Sequence, residues 1–153
     1  MNIDIKKIAQ HKVTRLLAAV VVLCVAGMVV AQVTRGTKRH VFYFSVIGTE
    51  RLVREVRYLP KHPVQGDVQL YVDELLLGPE TQRARPLFSL GTKNEFCFVR
   101  GKTLYVGLSK DVLYQIPEAD TITKGIALLC KNIKKNFHDI KNIALFIDGK
   151  YVE

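Results

Sequence analysis

An uncharged apolar run near the start of the chain, from Leu16 to Val33, restricts its fold more than any other feature. About 18 apolar residues without charge are typical of a membrane-spanning helix, whereas roughly 7–15 behind a basic segment are typical of a signal peptide. The run fits both descriptions, so we predict a transmembrane or signal helix over residues 16–33. A basic tail, residues 1–15, precedes it, and a short linker, residues 34–40, follows it.

Basic residues on both sides of the run favour a cytoplasmic N-terminus. Four Lys or Arg precede it and three follow it, and the more basic side of a span usually stays in the cytoplasm. Residues 41–153 are therefore expected outside the cytoplasm, tethered to the membrane. The alternative is cleavage after Ala31, which would release a periplasmic or secreted protein. Lipid attachment at Cys24 is disfavoured, because Leu23 stands where that pattern needs a small residue.

The net charge of +9 is concentrated around this run. Residues 1–40 hold seven Lys or Arg against Asp4 alone, a net charge of +6, which leaves +3 for residues 41–153. We expect the flanking basic residues to meet anionic lipid headgroups. A basic nucleic-acid-binding domain is the alternative function. It requires a cytoplasmic location and aromatic residues on an open strand face, a role for Phe96, Phe98 and Tyr105.

Residues 41–153 alternate between strand and helix patterns. Strands are predicted over 41–47, 52–59, 95–99, 103–108 and 140–147 from their β-branched and aromatic content. Helical spacing predicts one helix from Asp67 to Gly78-Pro79 and a second that opens at Asp120 or Thr121. The order β-β-α-β-β-α-β predicts an α+β fold in which two helices pack on one face of a single mixed or antiparallel sheet.

The turn near Gly101 leaves the strand register open. If the turn is Arg100-Gly101, Cys97 shares a face with Leu104. If the loop also includes Val99, Phe96 and Phe98 take that face and Cys97 points away.

No catalytic or metal site can be assembled from the sequence, so neither a cofactor nor a small-molecule substrate is expected. The four histidines lie far from one another and from any cysteine. Ser109 lacks the neighbours of a nucleophile elbow and is interpreted, with Asp111, as a turn or cap residue. A secreted enzyme of unknown class is the third interpretation. Cys97 and Cys130 are expected to be buried thiols, with a disulfide between them as the alternative.

Four segments of residues 41–153 form a recognisable series: residues 73–79 (DELLLGP), Pro86-Leu87 with Gly91-Thr92, residues 104–111 (LYVGLSKD) and residues 143–149 (IALFIDG). Together they resemble the GerMN domain family, named for a sporulation and spore-germination protein. The resemblance covers nearly all of residues 41–153 and implies a fold close to the ring-building modules of secretion-like and sporulation assemblies. It also implies a place outside the cytoplasmic membrane and no catalytic residues. The chain departs from the pattern at Gly107, where an acidic or amide residue is expected.

The outward faces of the two predicted helices are the candidate binding surfaces. One carries two leucines beside two acidic residues, and the other carries a row of lysines. These residues are Leu70, Leu77, Asp73, Glu74, Lys124, Lys131, Lys134 and Lys135. Scattered leucines and solvated charged faces are the simpler interpretation of each. An acidic and a basic face would suit head-to-tail association of identical domains. We therefore predict a non-catalytic, membrane-tethered interaction module that scaffolds or oligomerises in a bacterial envelope assembly.

Overall fold

The computed structural model describes the backbone of residues 5–34, 36–114 and 116–152 and, within the first helix, the side chains of residues 15–28 and 30. Its contacts divide the chain into two units, Met1–Gly36 and Thr37–Glu153. The elements are α1 (Ile5–Thr34), β1 (Thr37–Val46), β2 (Leu52–Pro60), α2 (Asp67–Leu76), β3 (Ala84–Arg85), β4 (Asn94–Arg100), β5 (Thr103–Leu108), a short 3-10 helix (Lys110–Leu113), α3 (Ile122–Asn136), β6 (Asn142–Ile147) and β7 (Lys150–Val152).

Helix α1 belongs to the first unit and contains the apolar run. Its apolar side chains are largely exposed, as at Leu16 (72%) and Leu23 (71%). Among the residues that the structure describes, no helix is long and apolar enough to cross a membrane. The predicted span over Leu16–Val33 includes residues 29 and 31–33, whose side chains lie outside the described part of the chain. The side chain of Ala31, the predicted cleavage position, lies outside the described residues.

The first sheet of the second unit has the strand order β2-β1-β3 and is antiparallel. The hairpin of β1 and β2 confirms the sequence prediction, and its alternating pattern buries Phe42 and Phe44 completely. Strand β1 begins at Thr37, inside the predicted linker 34–40, because β2 is long enough to pair with it down to Pro60. Strand β3 is only two residues long and pairs with the far end of β1.

The second sheet has the strand order β4-β5-β6-β7, so the prediction of a single sheet is wrong. Apolar periodicity shows which face of a strand is buried, but it does not show which strands pair. Strands β5 and β6 run parallel because α3 lies between them in sequence and provides the crossover. The β4–β5 turn is Gly101-Lys102, and the resulting register puts Cys97 on the same face as Leu104, opposite Phe96 and Phe98.

Helices α2 and α3 lie close to the predicted positions. Asp67 is not the N-cap of α2: Gly66 holds that position, and Asp67 begins the helix and lies 3.7 Å from the Lys38 ammonium. Gly78 has a φ of +91°, which glycine adopts readily, and it ends α2 as predicted. Thr121 is the N-cap of α3.

One hydrophobic core joins both sheets and both helices of the second unit. Helix α3 packs against β1 and α2 packs against β4, so the helices do not share one face of one sheet as predicted. The completely buried side chains include Tyr71, Leu75, Leu104 and Leu129. Residues 37–153 thus form one α+β unit, and both sheets and both helices contribute side chains to its core.

Candidate functional site

Two asparagines of α3 cover the edge of β1. The side-chain oxygen of Asn132 accepts the N–H of Tyr43 (2.8 Å) and its amide donates to the Tyr43 carbonyl (2.9 Å). Asn136, one turn later, makes the same pair of bonds with Val41 at 2.9 and 2.7 Å. The buried Tyr71 hydroxyl also donates to the Val41 carbonyl (2.8 Å), and burial raises the pKa of that hydroxyl. These polar groups complete the first sheet and are not available for chemistry.

A buried arginine holds the end of α2. The guanidinium of Arg57 donates to the backbone carbonyls of Glu74 (3.0 Å) and Gly78 (2.6 Å). It also pairs with Glu55 at 3.1 Å and lies 4.7 Å from the centre of the Phe42 ring. The Glu74 carboxylate lies 3.5 Å from the same cation, so this predicted interface residue is engaged inside the domain.

Ser109 is a structural residue in this arrangement. Its hydroxyl accepts the N–H of Lys93 (3.0 Å) and donates to the Asp111 carboxylate (2.8 Å). The Ser89 hydroxyl bonds to the Asp111 carbonyl, which ties the loop before β4 to the 3-10 helix. The donors and acceptors of this cluster satisfy one another, and this agrees with the turn interpretation of Ser109.

The thiols and the buried histidine lack reactive surroundings. Cys97 and Cys130 are free and half-buried, so the alternative disulfide is not formed. Burial, and then the nearby Asp73 carboxylate, raise the pKa of Cys97 to about 12, which keeps it a neutral thiol. Burial also lowers the pKa of His40. No group of three or more His, Cys, Asp or Glu side chains in the described residues could hold a metal ion.

The two leucines of the predicted binding surface on helix α2 differ in exposure. Leu70 is half-buried, and its side chain packs against the hydrophobic core. Leu77 is 72% exposed and faces a groove of about 480 Å³ together with Leu90, which is 70% exposed. Asp73 lines the groove and accepts a bond from the Asn94 amide at 2.9 Å. We call Leu76, Leu77, Leu90 and Asp73 the leucine groove. Leu90 lies in a loop, where no periodicity marks it as part of a surface.

The predicted lysine row of α3 divides into two parts. Lys124 lies 3.5 Å from Glu50 and 3.6 Å from Asp120, so its charge is compensated within the domain. Lys131 lies over the Tyr43 ring at 5.5 Å. Lys134 and Lys135 are exposed in the last turn. We call Lys131, Lys134 and Lys135 the lysine stripe.

A third surface, the aromatic face, lies on the side of the second sheet opposite the core. It consists of Phe96, Phe98, Tyr105, Phe146 and Tyr151. Three of these residues, Phe96, Phe98 and Tyr105, are the ones that the sequence suggested for an open strand face. The register of β4 with β5 places all three on the same side of the sheet. Phe146 and Tyr151 join them only through the parallel pairing of β5 with β6.

The order of strands and helices, and the helix stop at Gly78, agree with the GerMN resemblance of the sequence. The family described as Germane, sporulation and spore germination, matches residues 41–153. The chain belongs to this family. The GerMN resemblance is thereby confirmed over the range from which it was inferred.

Solved GerMN structures share the fold at low sequence identity. The tandem GerMN domains of the sporulation protein GerM from Bacillus subtilis superpose with a TM-score of 0.58 at 15% identity, covering 75% of this chain and 40% of that chain. The first GerMN domain of the same protein gives a TM-score of 0.54 at 15% identity, covering 73% of this chain and 85% of that chain. This chain therefore has a GerMN-like α+β fold.

A sequence relative comes from a second organism. An uncharacterized lipoprotein of Treponema pallidum (strain Nichols) is 28% identical over 89 residues. The match covers 58% of this chain and 66% of that protein.

Proposed function

We propose that this Germane-family chain is a non-catalytic scaffold module of the bacterial envelope, whose copies associate head to tail. The leucine groove of one copy would receive the lysine stripe of the next. The observation that carries this proposal is the convergence of Leu77 and Leu90, both about 70% exposed, in one groove. Paired exposed leucines in a concave site are typical of a binding surface, whereas scattered ones are not.

The two surfaces have complementary chemistry. Lysine side chains lay their aliphatic stems along apolar groups while the ammonium remains hydrated. Lys134 or Lys135 could therefore cover the leucines and reach the Asp73 carboxylate at the groove. Because the two patches differ, their association is heterologous and builds rings or filaments instead of closed pairs.

The proposed location is outside the cytoplasm. The relative named as a lipoprotein, the apolar side chains of α1 and its basic flanks support an envelope tether.

Whether α1 is retained as an anchor or cleaved after Ala31 can be measured directly. We expect residues 41–153 to be digested by external protease in intact spheroplasts. The N-terminal residue of the mature protein distinguishes the two forms, and protection of residues 41–153 until lysis would contradict the location.

Mixing two blocked variants tests the head-to-tail interface. Leu77→Lys blocks the groove by repelling the lysines and keeps the stripe, whereas Lys134→Glu with Lys135→Glu blocks the stripe and keeps the groove. In sedimentation of the full chain in neutral detergent at low salt, we expect the parent to form concentration-dependent oligomers and each variant to be monomeric. Their equimolar mixture should stop at a 1:1 dimer, since one intact groove and one intact stripe remain.

The exposed Lys61→Glu variant is the matched control and should oligomerise like the parent. A parent chain that stays monomeric at high concentration and low salt, or variants that assemble unchanged, would refute the interface. High salt should weaken the assembly, because exposed charge pairs are screened.

A further inference from the structure

The aromatic face has its side chains in rows that cross the four strands. In the first row Phe96 and Phe146 lie on either side of Gly107, and Tyr151 ends the row on β7. A Cβ atom at Gly107 would lie 2.2 Å from the Phe96 ring, so glycine is what lets this ring lie over β5. Phe96 then contacts Phe146, with ring centres 5.6 Å apart.

The second row continues the apolar surface. Phe98 stacks on Tyr105 with ring centres 5.1 Å apart, and Ala144 lies next to Tyr105 on β6. Phe98 is 52% exposed, and Tyr151, on the opposite edge strand, is 59% exposed. A large part of the ring area at both edges of the sheet is thus open to solvent in the second unit.

The third row is polar and ends in a basic cluster. Arg100, Thr103 and Asn142 occupy its outward positions. The Lys141 N–H donates to the Lys102 carbonyl at 2.8 Å, which brings two further exposed lysines to the same end of the sheet. None of the outward positions fixed by the strand register in these three rows holds an acidic residue.

We propose that the aromatic face binds an acidic glycan strand, with uncharged sugar rings over the two aromatic rows and a carboxylate at the cluster of Arg100, Lys102 and Lys141. Ring faces accept the apolar side of a sugar, and the amide and hydroxyl of the polar row suit its hydroxyl groups. Arginine is well matched to a carboxylate, since it can donate two parallel hydrogen bonds. The envelope location on which this assignment rests belongs to the proposed function.

The charge distribution favours a glycan over a single-stranded nucleic acid. Proteins that bind single strands place cations along the whole backbone path, since every nucleotide carries a phosphate. Here the two aromatic rows carry no cation, and the positive charge is limited to one end. A polymer with neutral rings and occasional carboxylates matches that pattern.

Cosedimentation with purified peptidoglycan sacculi tests the assignment. The full chain in neutral detergent should pellet with sacculi, and much less with sacculi whose carboxylates are blocked as amides. Phe98→Ala should weaken the apparent affinity about threefold to tenfold, the equivalent of one aromatic pair. Arg100→Glu should weaken it about tenfold or more, because a charge-assisted hydrogen bond to the carboxylate is lost and a like charge replaces it. Circular dichroism confirms that each variant is folded, and both side chains are exposed, so their loss leaves the core intact.

The controls separate this proposal from the proposed function. The double Lys134→Glu, Lys135→Glu variant should lose head-to-tail assembly but bind sacculi like the parent. Loss of sacculus binding with that variant, or equal binding by Arg100→Glu and the parent, would overturn the assignment. Tighter binding to polyuridylate, or to phosphatidylglycerol in mixed micelles with the same detergent, with the same dependence on Phe98 and Arg100 would also overturn it.

Discussion

The side-chain amide of Asn132 pairs with both backbone polar groups of Tyr43, as a neighbouring strand would. Its oxygen accepts the Tyr43 N–H at 2.8 Å and its nitrogen donates to the Tyr43 carbonyl at 2.9 Å. Backbone groups at a sheet edge are otherwise open to pairing with another chain. Helix α3 thus closes part of the β1 edge with side chains.

Asn132→Ala should lower the free energy of unfolding by about 1–3 kcal/mol, because it leaves the partly buried backbone donor and acceptor of Tyr43 without partners. Urea denaturation followed by circular dichroism measures the change. Thr123→Ala, on the exposed side of the same helix, is the control and should change stability by less than about 0.5 kcal/mol. Equal stabilities of the two variants would show that water replaces the amide.

Arg57→Met should lower the free energy of unfolding by about 3–5 kcal/mol, since it removes the cation from a buried group of acceptors. Two carbonyls at the end of α2 and the Glu55 carboxylate lose their donor. Arg57→Lys should restore little, because one ammonium cannot replace the planar fork of the guanidinium. Arg54 is an exposed arginine of the same strand, so Arg54→Met is the control. Thermal unfolding measures the stability of each variant. A small loss at Arg57 would mean that its aliphatic stem alone is important.

Gly107→Ala should cost about 1–3 kcal/mol of stability, because the new methyl group meets the Phe96 ring. Combined with Phe96→Ala, which removes that ring, the glycine substitution should cost at least about 1 kcal/mol less than it does alone. Chemical denaturation of the parent, both single variants and the double variant completes the cycle. Strict additivity would contradict the contact.

Stability should fall as the pH drops below about 6.5, the ordinary pKa of histidine. Burial and the Lys38 ammonium lower the pKa of His40, although Asp67 and Asn136 act in the opposite direction. The unfolded chain then binds a proton that the folded chain does not, with a slope of at most about 1.4 kcal/mol per pH unit. His40→Gln should reduce that slope, and the exposed His62→Gln should keep it. Urea denaturation at several pH values between 7 and 5 measures this slope for the parent and for both variants.

Local chemistry made most elements of residues 41–153 predictable. Apolar spacing located both helices, and Gly78 ended α2 for the reason expected. Strand β7 was missed, because three residues after a turn carry no periodicity. The division into two sheets was also missed, since it depends on β3 pairing with β1 and β5 pairing with β6.

The binding surfaces were predictable only where helix periodicity determines them. Leu77 was found in this way, whereas Leu90 joins it from a loop. Lys124 was placed correctly on the helix. Its charge is compensated by Glu50, however, which lies 74 positions away in the sequence. Arg57 carried no sequence signal, because a charged residue in a strand is ordinarily an exposed one.

The parallel pairing of β5 with β6 affects the order in which this domain can form. Strand β6 lies inside the second sheet, yet it is made from residues 142–147, close to the end of the chain. Until those residues are available, β5 lacks one neighbour and the core lacks Leu145 and Ile147. A domain that crosses a membrane in order from residue 41 onward would therefore complete this core only after residues 142–147 had emerged.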